Sequence, residues 1–211
     1  MVRIKPGVAV LILLVAFITG CVGLGKPSPQ ARMYAVEYPE PAFKGLPPVN
    51  EAVRVGRMSS SRVFSGRAIL FRTEPFSLGA YPYDYWAATP ADMVRDLLAR
   101  DLRASGLFKA VFARQDHYDA RFHLDGEIVE FFEDDTGGPA AVIRLDAVVF
   151  DRRGGKDARP LLQKSYRFRE PCERSARGVA QGMSRAAANL SGRLILDVYH
   201  CASGVPTGSA R

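Results

Sequence analysis

Apolar and polar residues alternate with a period of two over residues 52–58 (Ala-Val-Arg-Val-Gly-Arg-Met), which predicts a β-strand. Residues 67–72 (Arg-Ala-Ile-Leu-Phe-Arg) predict a second strand, and residues 78–86 a third that is interrupted by Pro82. Ser59, Ser60 and Ser61 read as the turn between the first two. A weak alternation over residues 33–38 is the candidate for an additional first strand. The period then changes. Thr89 can cap free amides, Pro90 suits a first helical position, and Asp92 sits at the positive end of the helix dipole. Met93, Leu97, Leu98 and Leu102 fall on one face, and Gly106 provides the stop.

Residues 107–112, 120–133, 140–150 and 161–168 predict four more strands. The last three are joined by the turn segments 134–138 and 152–155, so they read as an antiparallel meander. A long helix is predicted over residues 173–199, because Val179, Met183, Ala186, Leu190, Leu194 and Val198 recur at three- and four-residue steps. Small residues on it (Gly178, Gly182, Ala187) would allow close approach to a sheet. The expected class is α+β: a mainly antiparallel sheet packed on one face by two principal helices.

The N-terminus has a different pattern. Residues 1–7 carry Arg3 and Lys5 and no acid, residues 8–18 are wholly apolar, and Thr19-Gly20-Cys21 follows. This is the layout of a secretory leader, with an apolar run too short for a permanent span of roughly 20 residues. Ile18-Thr19-Gly20-Cys21 resembles the bacterial lipobox, which implies cleavage before Cys21 and acylation of its thiol. Several acyl chains hold a protein on a bilayer durably, at about 0.8 kcal/mol per buried methylene. Val22, rather than Asp, follows the cysteine, which favours the outer membrane. The expected organisation is a leader over 1–20, a lipid-anchored Pro/Gly-rich tether over 21–48, a folded domain over 49–200 and a flexible tail over 201–211.

Composition fits one folded domain: 47% of residues are hydrophobic and 24% charged. The net charge of +7 falls to +5 without the leader, with 27 basic against 22 acidic residues. Basic groups lie beside acids along the chain, so a mixed solvated surface is expected, and export argues against nucleic acid as a partner. Cys172 and Cys201 form an even pair in an oxidising compartment and are expected to be bonded to each other. A straight helix between them would hold them roughly 40 Å apart, so the bond needs a kink, a shorter helix or a turned-back tail.

Catalytic patterning is not found, and neither a metal nor a cofactor is expected. His117, His123 and His200 are scattered, with His123 expected on a surface or partly buried. Gly137-Gly138 and Gly154-Gly155 suit hairpin turns rather than phosphate loops, and Glu133-Asp134-Asp135 reads as a solvated turn. The unusual stretch is residues 76–86, with the only tryptophan and three of the eight tyrosines. Such density packs a small core or presents an amphipathic contact surface. Strand alternation would place Tyr81, Tyr83 and Tyr85 on one face and Pro82, Asp84 and Trp86 on the other. Tyr81, Tyr83, Tyr85 and Trp86 are the candidates for partner contact.

Residues 52–55, 67–72, the aromatic stretch ending in Trp86, the segment 102–108 (Leu-Arg-Ala-Ser-Gly-Leu-Phe) and residues 124–131 (Leu-Asp-Gly-Glu-Ile-Val-Glu-Phe) together resemble the ABC-type transport auxiliary lipoproteins, which include the paraquat-inducible C lipoprotein. The resemblance spans about residues 33–199. It implies a non-enzymatic outer-membrane lipoprotein that works with an inner-membrane ABC transporter and an MCE-domain protein to move phospholipid or other hydrophobic molecules across the periplasm. It also implies a role in docking the periplasmic conduit, with a homo-oligomeric ring as one form. Family members often carry a basic residue just before the tryptophan, where this chain has Tyr85. The alternatives are a lipoprotein that binds lipid or solute itself, which needs an enclosed apolar cavity, and an envelope-assembly or enzyme-activating lipoprotein.

Overall fold

The computed structural model describes residues 29–113, 120–153 and 158–204. The leader, Cys21, Val22, His117, the Gly154-Gly155 turn and residues 205–211 lie outside them. The chain divides into two units, Met1–Gln30 and Ala31–Arg211, and the second holds every element that follows.

Eight strands form one mixed sheet: β1 (Arg32–Tyr34), β2 (Val49–Ser60), β3 (Ala68–Arg72), β4 (Gly79–Trp86), β5 (Phe108–Phe112), β6 (Phe122–Asp134), β7 (Ala140–Asp151) and β8 (Arg159–Pro171). Helix α1 (Pro90–Ala104) lies between β4 and β5, and α2 (Ala176–Ser203) ends the described chain. The meander β6–β7–β8 is antiparallel throughout, as the alternation and its turns predict. β6 uses its other edge twice. Its first half pairs in parallel with β2, and its last residues pair in parallel with β3. β2 and β3 then each recruit neighbours: β5 beside β2, and β4 followed by β1 beside β3. Parallel pairing needs a crossover, and a short 3₁₀ turn over Arg62–Phe64 separates β2 from β3. Ser59 and Ser60, expected in a turn, belong to β2, and the turn starts at Ser61.

Register explains which side is core. Leu124, Gly126 and Ile128 of β6 stand opposite Val149, Ala147 and Leu145 of β7, and Val53 and Val55 of β2 opposite Phe122 and Leu124. These apolar residues share one face, and the two helices cover it. The other face carries charge pairs such as Arg167 of β8 with Glu130 of β6 (2.6 Å) and Arg144 with Asp146 along β7. The α1 cap forms as predicted: Thr89 Oγ1 accepts from the Asp92 amide, Pro90 is the first helical residue, and Gly106 takes a φ of 65° past the C-terminus. In α2 an added methyl on Gly182 would stand 2.9 Å from the Cβ atoms of Ala141 and Cys172, so the missing side chain sets how closely helix and sheet approach.

Three expectations are corrected. The domain begins at Ala31 rather than residue 49. The Pro-rich stretch after β1 is an extended strap whose Val36 is buried and whose Tyr38, Phe43 and Leu46 pack on the core. Proline forbids helix, but it leaves an extended segment free to bury its apolar side chains. The second correction concerns α2, which runs on through Cys201, Ala202 and Ser203 to a left-handed cap at Gly204, where a flexible tail was expected. The third concerns the cysteines. Cys172 and Cys201 are both free thiols. Cys172 precedes α2 and Cys201 lies in its last turn, so continuous helix of roughly 38 Å at ~1.5 Å per residue holds them far beyond disulfide reach.

Candidate partner-contact site

β4 contains the aromatic stretch, and its geometry departs from simple alternation. β3 advances from Ala68 to Leu70 while β4 advances from Tyr85 to Ala80, so β4 carries extra residues in a bulge. Tyr83 absorbs the excess at φ 63°, a left-handed conformation that is unusual for a bulky residue. The bulge shifts the phase of the strand. Tyr83 and Tyr85 remain exposed, at 48% and 37%, whereas Asp84 and Trp86 are buried.

Tyr81 parts company with the other two tyrosines. Its hydroxyl donates to Glu133 at 2.6 Å, and its ring meets Phe71 edge-on at 5.2 Å. Trp86 is only 1% exposed and stands edge-on to Phe131 at 5.2 Å. Trp86 is therefore core, and burial removes it from any contact surface. Its Nε1–H has no hydrogen-bond partner among the described residues, a cost that the packing of its large ring offsets. Of the four candidates, Tyr83 and Tyr85 are left as surface aromatics. Arg32 clamps the buried Asp84 with two hydrogen bonds, of 2.7 and 2.9 Å, which tie β1 to β4.

Glu133, expected in a solvated turn, is 2% exposed. Burial raises its carboxyl pKa above the ordinary value, against the Tyr81 hydrogen bond, which lowers it. Burial and the same bond push the Tyr81 phenol up. A cleft of about 200 Å³ opens beside the pair, lined by Phe71, Thr73, Asp135 and Arg174. A larger open groove of about 840 Å³ runs between the start of the strap and α2, with Met33, Glu37, Arg177 and Arg185 on its walls. His123 is partly buried, and burial, reinforced by Arg152 and Arg54, lowers its pKa.

Two buried polar centres join the layers. Asp101, fully buried in α1, accepts from Tyr38 Oη of the strap at 2.8 Å, from Ser191 Oγ of α2 at 2.5 Å and from Arg100. Asp197 of α2 accepts from Lys164 Nζ and Tyr166 Oη of β8, each at 2.7 Å. Burial pushes the Asp197 carboxyl up, but these two bonds and the Lys164 and Arg193 charges outweigh it and leave the pKa below the ordinary value. Sequence reading missed both centres. The signal was present: Asp101 and Asp197 each interrupt the apolar stripe of their helix, beside Leu98 and Leu102 and beside Leu194 and Val198. A charge there must find buried partners.

Among the described residues, no group of three or more His, Cys, Asp or Glu could hold a metal ion, and no helix is long and apolar enough to cross a membrane. Fold and site thus define an α+β domain that offers an aromatic surface strand rather than a constellation of reactive groups. The chain belongs to the family described as the ABC-type transport auxiliary lipoprotein component, whose model matches residues 34–194. That family is an auxiliary of transport and not a known enzyme family. Among solved structures, XCC0632 from Xanthomonas campestris is similar with a TM-score of 0.74 and 22% identity, covering 82% of this chain and 98% of its own. A second, an uncharacterized protein, has a TM-score of 0.52 and 14% identity, covering 74% of this chain and 99% of its own. These two likenesses concern the fold. No curated protein matches the chain.

Proposed function

We propose that this chain is the outer-membrane-anchored accessory lipoprotein of an ABC transport system containing an MCE-domain protein, and that the system moves phospholipid or other hydrophobic molecules across the periplasm. The observation that carries the reading is the family match over residues 34–194, behind a lipobox-like Ile18-Thr19-Gly20-Cys21. Cys21 takes the acyl chains after cleavage of residues 1–20. The folded unit docks the periplasmic conduit through the exposed Tyr83 and Tyr85, and a homo-oligomeric ring is the form that could surround such a conduit. The chain itself turns over no substrate.

The test uses the full-length chain, tagged at its C-terminus, isolated with detergent from its native envelope. Co-isolation of an MCE-domain protein, and its loss when Tyr83 and Tyr85 are both changed to Ser, supports the reading. An acylated, correctly folded chain that brings down no MCE-domain protein overturns it. Outer-membrane placement is read separately, by density separation of the two membranes.

A further inference from the structure

The exposed apolar surface continues beyond β4. The β3–β4 turn carries Phe76, whose side chain is fully exposed, and Leu78, 41% exposed. Phe76 takes a φ of 66°, so the backbone is held in a conformation that disfavours bulky side chains while it presents one to solvent. Nothing in the fold rewards that exposure, because Phe76 adds no area to the core.

The direction of the chain supplies a reason. β1 runs parallel to β4, with Arg32 opposite Asp84 and Tyr34 opposite Trp86. Tracing β1 backwards from Arg32 therefore heads the same way as tracing β4 backwards from Asp84 through Gly79 to Leu78 and Phe76. The chain enters β1 from the end of the sheet where the turn projects. Eleven residue-to-residue steps lead from Cys21 to Arg32, a reach of at most about 40 Å at ~3.6 Å each. An acylated Cys21 keeps the bilayer within that distance of the point where the chain enters β1, the end of the sheet that also carries the Phe76 turn.

We propose that the Phe76–Leu78 turn is a membrane-contact tip, inserted at the interface of the bilayer that holds the lipid anchor. This inference rests on the anchoring reading above. The partner is a lipid surface, recognised by apolar burial: Glu74, exposed in the same turn, offers no attraction to anionic headgroups. Aromatic and aliphatic side chains at this depth act as interfacial anchors. The tip fixes which end of the sheet faces the membrane, something a lipid anchor alone leaves open. Leu161, 45% exposed at the start of β8, marks the opposite end, since its neighbours Pro160 and Leu162 pair with Phe150 and Val149.

The native sequence contains one tryptophan, the buried Trp86, so added tryptophans report their own surroundings. The experiment reconstitutes the full acylated chain into phosphatidylethanolamine/phosphatidylglycerol vesicles with bromine-labelled acyl chains. It compares the native chain, Phe76→Trp and Leu161→Trp. The expected result is that Phe76→Trp shifts to the blue and loses half or more of its added emission, while Leu161→Trp and the native chain are unchanged. Unquenched emission from Phe76→Trp, or equal quenching of Leu161→Trp, overturns the proposal, including the case in which the tip binds protein instead. Intact mass reports acylation independently. If Cys21 carries no acyl chains the anchoring reading fails by itself, and quenching of Phe76→Trp added to the same vesicles from solution still decides the tip.

Discussion

The hydroxyl of Tyr38 donates to Asp101 across 63 positions of sequence, at 2.8 Å. The bond fastens the strap that follows β1 onto helix α1, and Ser191 brings α2 to the same carboxylate. The strap is thus clamped over both helices from outside, while the sheet supports them from within. Asp101→Ala leaves the Ser191 hydroxyl buried without its acceptor and is expected to lower stability by about 3 kcal/mol. Tyr38→Phe removes one bond to a charged acceptor and is expected to cost about 1.5 kcal/mol. Urea unfolding midpoints at constant m-value measure both. Equal, near-zero shifts would remove the clamp from the account.

Acid separates the two buried carboxylates. The raised Glu133 pKa means that the folded state holds its proton more tightly than the unfolded chain. Its contribution is full below about 4.5 and fades as pH rises through the raised value. Asp197 has the opposite sign: its contribution is present above about 3.8 and is lost as pH falls through the lowered value. Glu133→Gln keeps an acceptor for Tyr81, and is expected to be more stable than the native chain at pH 7 and to lose that advantage near pH 4. Asp197→Asn is expected to be weaker by about 2 kcal/mol at pH 7, with a gap that narrows below pH 4. Stability profiles of the three chains between pH 3 and 8 show whether the two gaps move in these directions.

Two glycines of α2 are expected to respond oppositely to the same substitution. Gly182→Ala places a methyl 2.9 Å from the Cβ atoms of Ala141 and Cys172. Lifting the helix is expected to cost about 2 kcal/mol, which exceeds the ~1 kcal/mol gain in helix propensity. An added methyl at Gly192 meets nothing within 4 Å, so Gly192→Ala is expected to stabilise by about 0.5–1 kcal/mol. Thermal melts of the two variants give the signs directly.

Both remaining cysteines are expected to alkylate in the folded, unreduced protein, since Cys172 and Cys201 are separate thiols. Burial, with a smaller push from Glu133, raises the Cys172 pKa to about 11. Its alkylation rate should therefore still be climbing at pH 9–10, where an ordinary thiol has levelled off. Intact mass after iodoacetamide counts the modified thiols, and a mass showing a Cys172–Cys201 bond would contradict the continuous α2.

Local patterning by itself determined most of the elements. Alternation located β2, β6, β7 and β8, the Thr89-Pro90 start and Gly106 stop bounded α1, and the three- and four-step apolar stripe located α2. The resemblance to the auxiliary lipoproteins rested on the same short segments. Each depends on neighbours within a few residues, so each is readable along the chain. Tertiary structure alone decided what depends on pairing across the chain. The parallel ladders of β2 with β5 and β6 are contacts between distant segments that alternation cannot rank. The bulge at Tyr83 split the expected face of the aromatic strand: Tyr83 and Tyr85 stay exposed, with Asp84 and Trp86 alternating inward, while Tyr81 before the bulge turns to Glu133. Which of the two alternating faces became core was decided by the packing of Trp86 against Phe131. The strap, Asp101 and Asp197 found their places only once two helices and a sheet had enclosed them, because a buried charge is tolerated only where distant partners converge on it.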